Sequence, residues 1–114
     1  ILPGGAGTET LFKHEKLKDL LIEHSQKDTF ITAICAAPKV LGNIGLLNGK
    51  KATCYPGVES FLTGAHFIAA PVVEDGKIIT ARGAGASIEF ALTLVKNLFD
   101  SQTAHNLAAK LMAV

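Results

Sequence analysis

Cys35 is the residue whose surroundings point most directly to chemistry. It follows Thr29-Phe30-Ile31-Thr32-Ala33-Ile34, a β-branched, mostly apolar run that reads as a strand buried on both faces. It precedes Ala36-Ala37-Pro38-Lys39-Val40-Leu41, small residues and a proline suited to the first turn of a helix. In open α/β sheets, ligands sit beyond the carboxyl ends of the strands. A sharp strand–turn–helix pushes its central side chain outward and aims the following amides at one point, joining a nucleophile to an oxyanion site. Ala36 and Ala37 are small enough for so tight a turn, and a helix N-terminus favours the thiolate. The plainer alternative is a small cysteine filling space at a strand end, because free cysteine is often buried.

The other candidates read more weakly. Cys54 stands at a strand end and is expected to be a buried bystander rather than a resolving thiol. His14, His24, His66 and His105 are scattered, with no H-E-x-x-H spacing, so no metal site is expected. His14, His24 and His105 read as exposed helical residues, and His66, in an apolar stretch, as structural. Gly83-Ala84-Gly85 precedes a helix but lacks the full G-x-G-x-x-G and its later acid, so a close backbone approach at a pocket rim is expected, not a dinucleotide cradle.

Positioning Cys35 requires an alternation of helices and strands. Leu11, Phe12, Leu17, Leu20 and Leu21 fall at helical spacing, with Thr8 or Thr10 as a cap, and the charges from Lys13 to Asp19 form a solvated face. Asn48-Gly49 marks a turn, Lys51–Tyr55 a short strand, and Val58–Thr63 one or two helical turns. Asp75-Gly76 between two β-rich runs is the best hairpin signal. Ile88, Ala91, Leu92, Val95, Leu98 and Phe99 form the stripe of the strongest helix, read as core packing, with part of it open to a second subunit. Asp100 or Ser101 caps a last helix. The alternation predicts an α/β sandwich around a mainly parallel sheet.

Composition narrows the function classes. A chain of 114 residues fits one domain, since domains run to ~100–150 residues. It is 48% hydrophobic and 18% charged, which excludes a disordered tail. Net charge is +1 and Arg82 is the sole arginine, so nucleic acid is not an expected partner. No apolar run approaches the ~18–20 residues of a membrane span, and the opening residues do not read as a secretory signal. Two cysteines in a reducing cytoplasm are the expected setting. Ile1-Leu2 runs straight into Pro3-Gly4-Gly5 and reads as the stub of a strand, so the chain is expected to be one incomplete domain over residues 1–114, its N-terminal strands lying upstream.

Ala33-Ile34-Cys35-Ala36-Ala37-Pro38 resembles the nucleophile-elbow motif of the DJ-1/ThiJ/PfpI superfamily, whose fold is similar to class I glutamine amidotransferases. Leu2-Pro3-Gly4-Gly5 resembles the turn opposite the elbow. The run from Asp75 to Gly85, with Glu89-Phe90-Ala91-Leu92, resembles the late hairpin and helix entry. The pieces occur in the family's order across almost the whole chain.

The resemblance implies a flavodoxin-like three-layer sandwich, a homodimer, and a reactive Cys35 thiolate in a glyoxalase or deglycase without cofactor or metal. It also implies backbone donors at Gly5 and Ala36, a pocket rim of Gly4, Tyr55, Gly83, Ala84 and Gly85, and a small carbonyl substrate. The alternative it offers is a redox-sensing stress protein or chaperone whose Cys35 is oxidised. Ala36 stands where the amidotransferase and peptidase branches carry histidine, which disfavours those activities. Tyr55 stands where the deglycase branch often carries histidine. The family's proton-shuttling glutamic acid would come from an upstream segment; Glu9, Glu15 and Glu89 match no such position.

Overall fold

A computed structural model describes residues 1–113. Its first elements are two helices, Thr8–Lys13 (α1) and Glu15–Ser25 (α2), where the spacing predicts one. The break is at His14, extended at φ −86° and ψ 102°, whose Nδ1 accepts from the Leu17 amide at 3.1 Å. His14 therefore caps α2 with its imidazole. The expected threonine caps are absent: α1 starts after Gly7 without a side-chain cap, and Thr8 is buried.

The main sheet is built from Ile31–Ile34 (β1), Val72–Asp75 (β4) and Ile78–Ala81 (β5), in the order β1-β5-β4. β1 and β5 run parallel with Ile31 opposite Ile78, while β4 and β5 form the antiparallel hairpin. Leu2 adds a parallel bridge to Ala33: its amide donates to Thr32 O at 2.8 Å and its carbonyl accepts from Ile34 N at 3.2 Å. Burial on both faces explains the unbroken apolar composition of β1 and β5. Ile78 joins the core that includes Leu2, Val40, Leu41 and Leu47, whereas Ile79 and Ala81 point the other way, toward Phe90.

Lys51–Ala52 (β2) and His66–Phe67 (β3) form a separate parallel pair. The strand expected over Lys51–Tyr55 ends at Ala52 because the Thr53 amide is taken by the buried Thr80 hydroxyl, at 2.9 Å. The helical turns expected from Val58 reduce to a 3₁₀ turn at Glu59–Phe61. The hairpin loop is Gly76-Lys77, one residue later than the Asp-Gly signal places it. Gly76 takes a φ of +60°, and Asp75 stays in β4, accepting the Lys51 amide at 2.8 Å. With parallel and antiparallel pairings together, the fold is mixed α/β.

Pro38–Asn43 (α3) follows β1, Ser87–Leu98 (α4) follows a 3₁₀ turn at Ala84–Ala86, and Ser101–Lys110 (α5) follows Asp100, which caps it by accepting Thr103 N at 2.6 Å. The core stripe expected on α4 is corrected. Phe90 is buried and Leu94 packs beside it, while Ile88, Leu98 and Phe99 are 54%, 62% and 73% exposed. Apolar residues run around most of α4, so periodicity alone could not select the face the sheet would cover. No helix among the described residues is long and apolar enough to cross a membrane.

Candidate active site

β1 ends and α3 begins within four residues, and Cys35 takes the bend between them at a φ of +66°. A left-handed backbone costs a non-glycine residue about 1–3 kcal/mol and persists only where the surroundings over-determine it. Here they do. The Cys35 amide donates to Ala81 O at 2.8 Å, the Cys35 carbonyl accepts from Tyr55 N at 2.8 Å, and Ala37 N donates to Ile34 O at 3.1 Å. The thiol is free and half-buried. Pro38 opens α3 at its first turn, where its missing amide hydrogen leaves no bond unmade.

Gly4 packs directly on this bend. A Cβ there would lie 2.5 Å from Cys35 Cβ, 3.0 Å from Ile34 O and 3.2 Å from Cys35 Sγ, so no side chain fits without displacing the elbow. Gly5, at φ +86°, reverses the chain into α1, and its carbonyl accepts from Thr8 N at 3.1 Å. Among the described residues, neither the Gly5 nor the Ala36 amide has an acceptor. Gly4, Cys35 and the Ala36 peptide thus meet at one place.

The other rim residues gather beside it. Tyr55, Gly83, Ala84 and Gly85 line one open hollow of ≈ 460 Å³ with Pro56, Arg82 and Ala86. Cys35 and Gly4 do not line that hollow; the Tyr55 amide on the Cys35 carbonyl joins the two groups. Pro56 and Arg82 went unnoticed in the sequence, although each directly adjoins an expected rim residue.

Cys54 is buried, and its thiol is pushed up to about 11, first by burial and then by the charges of Glu59 and Cys35. A thiol held neutral is a poor nucleophile. The carboxylates stand elsewhere: Glu9 pairs with Lys39, Glu15 lies 3.6 Å from Lys18, and Glu89 lines a hollow between α4 and α5. His14 and His105 are exposed as expected. His24 is half-buried instead, and His66 lies exposed on β3 rather than packed. Among the described residues, no three His, Cys, Asp or Glu side chains gather as a metal would need.

Comparison with known proteins places these features in context. The DJ-1/PfpI family matches residues 1–97. The chain is 43% identical over 101 residues to protein DJ-1 homolog B of Arabidopsis thaliana, covering 87% of this chain and 23% of that protein. It is 37% identical over 105 residues to isonitrile hydratase of Pseudomonas putida, covering 90% and 46%. The crystal structure of Drosophila melanogaster DJ-1beta superposes with a TM-score of 0.89 at 34% identity, covering 96% of this chain and 60% of that one. The chain therefore spans less than two thirds of the length of each.

Proposed function

This chain belongs to the DJ-1/PfpI family, and from that premise we propose that it is the C-terminal part of a cofactor-independent cysteine enzyme acting on reactive carbonyls. The activity is glyoxalase- or deglycase-like, with Cys35 as nucleophile. One observation carries the reading: a free, half-exposed cysteine held at a left-handed bend between strand and helix, with a glycine packed on it.

With a methylglyoxal-like dicarbonyl, Cys35 Sγ bonds to the aldehyde carbon and the C=O pair moves onto oxygen. The Gly5 and Ala36 amides receive that oxygen; one well-placed donor of this kind contributes about 3–4 kcal/mol. A carboxylic acid from an upstream segment protonates that oxyanion to give the hemithioacetal, and the carboxylate so formed moves a proton from the first carbon to the second through an enediol. The first carbon is oxidised to a thioester and the second reduced to an alcohol, so no external oxidant is required. Water adds to the thioester, the C–S bond breaks, and a hydroxy acid such as lactate leaves with the thiolate restored.

The upstream segment completes a flavodoxin-like three-layer sandwich, and the complete protein forms a homodimer in the cytoplasm. Support for a covering segment comes from the Leu2 edge. There, exposed Ile1 and Leu98 with Phe30 and Leu94 line one groove, and the buried Thr32 hydroxyl has no partner among the described residues. In the complete protein, Cys35→Ser should abolish methylglyoxal conversion; unchanged turnover refutes the assignment. Intact masses of all polypeptides in the preparation test for the upstream segment.

The contrast between the two thiols favours a second reading, a redox sensor. Cys35 is within reach of solvent, whereas Cys54 is buried and neutral. Two peroxide molecules convert the Cys35 thiolate to a sulfinate and two waters. Selective gain of two oxygens at Cys35, without carbonyl turnover, would favour this sensor over the enzyme.

A further inference from the structure

Lys39 has a largely buried side chain. It lies on α3, one turn beyond Cys35, and its side chain is only 11% exposed. Its Nζ is 5.0 Å from the centroid of Phe12 and 5.1 Å from that of Phe61, two rings that meet edge to face at 6.4 Å. Its single ion-pair partner among the described residues is Glu9, on α1. The carboxyl of Glu9 is held below its ordinary value by that hydrogen bond and by the charge of Lys39.

An apolar side chain would fill this space at less cost, because desolvating an ammonium is expensive and an ion pair with an exposed carboxylate returns little. What the pair supplies is register. α1 has six residues and no side-chain cap, too short to hold itself together. Lys39 ties it to α3 by charge at Glu9 and by cation–π contact at Phe12. The first turn of α1 grips the Gly5 carbonyl through Thr8 N, while Leu2 is pinned to β1 on the other side of the turn. The placement of α1 therefore sets the dihedral angles of Gly5, and with them the aim of its amide.

We propose that Lys39 is a positioning residue: acting through Glu9 and Phe12, it holds α1 so that the Gly5 amide faces the carbonyl attacked by Cys35. The assignment rests on the cysteine-enzyme reading for its catalytic consequence but not for its structural one.

The test uses Lys39→Met, Glu9→Gln and the double variant in the complete protein. Methionine keeps the apolar stem, and Glu9 is 62% exposed, so both variants should fold. Amide exchange of residues 5–11 should quicken about tenfold in each variant, with residues 31–41 unchanged. For methylglyoxal, kcat per folded molecule should fall about tenfold, with KM within about twofold. The double variant should lose no more than Lys39→Met alone, because Glu9 acts on α1 only through Lys39. Cys35 alkylation by iodoacetamide should stay within about twofold, since the thiol itself is untouched. Unchanged exchange over residues 5–11, additive losses, or a lower urea midpoint with kcat intact would overturn the proposal. If the wild-type protein turns over no dicarbonyl, the enzymatic reading falls by itself, and the exchange pattern still upholds or overturns the role of Lys39.

Discussion

Replacing Cys35 by glycine and by alanine gives a test whose sign depends on the elbow. At an ordinary helical or extended position, glycine is less stable than alanine by about 0.5–1 kcal/mol, because the unfolded chain gains freedom. At the φ of +66° seen here, an alanine Cβ crowds the following carbonyl, which costs about 1–2 kcal/mol that glycine avoids. Both variants lose the sulfur, so its packing cancels in the comparison. The difference leaves Cys35→Gly more stable than Cys35→Ala by about 0–1.5 kcal/mol, centred on ~0.8 kcal/mol. Urea denaturation of the two proteins, with equal m-values, measures this directly. Should alanine prove the more stable residue, Cys35 does not occupy a left-handed bend and its thiol is not presented by one.

Further outcomes follow from the same geometry. Gly4→Ala should cost about 1–3 kcal/mol in urea denaturation and slow Cys35 alkylation, since the added methyl would sit 2.5 Å from Cys35 Cβ. Gly85→Ala, which meets nothing within 4 Å, should be neutral or slightly stabilising; equal effects from both would contradict the close packing at Gly4. Peptide mapping after iodoacetamide treatment at pH 8 should find Cys35 labelled and Cys54 bare, because burial holds the Cys54 thiol at about 11; labelling of Cys54 in the folded protein would refute that burial. Asp100, whose carboxyl is lowered below 3.8 by accepting hydrogen bonds from Thr103, supports α5 fully above that value and loses its contribution as pH falls through its folded pKa. Stability measured from pH 6 to pH 2 should therefore drop less in Asp100→Ala than in wild type; identical slopes would exclude the cap.

The local elements were legible where a short stretch of chain decides them alone. β1, the proline-led α3 and the Asp100 cap could each be read from neighbouring residues. The Ile34–Pro38 run announced an elbow because small residues flanked one sulfur between an apolar run and a proline. Elsewhere local signals competed with distant partners. Thr80 takes the Thr53 amide and ends β2 early, and the His14 imbroglio of helix and turn is settled by its ring capping Leu17 rather than by a threonine cap.

Residue order by itself determined β1, the β4–β5 hairpin, α4 and α5, and which cysteine would stand at the bend, because propensity and periodicity act over a few residues. Only the folded chain decided that Phe90, not Ile88 or Phe99, meets the sheet, that Gly4 closes on Cys35, and that Lys39 reaches across thirty residues to Glu9. Those contacts join residues far apart in the chain, and their energies depend on shape and burial that no local pattern encodes.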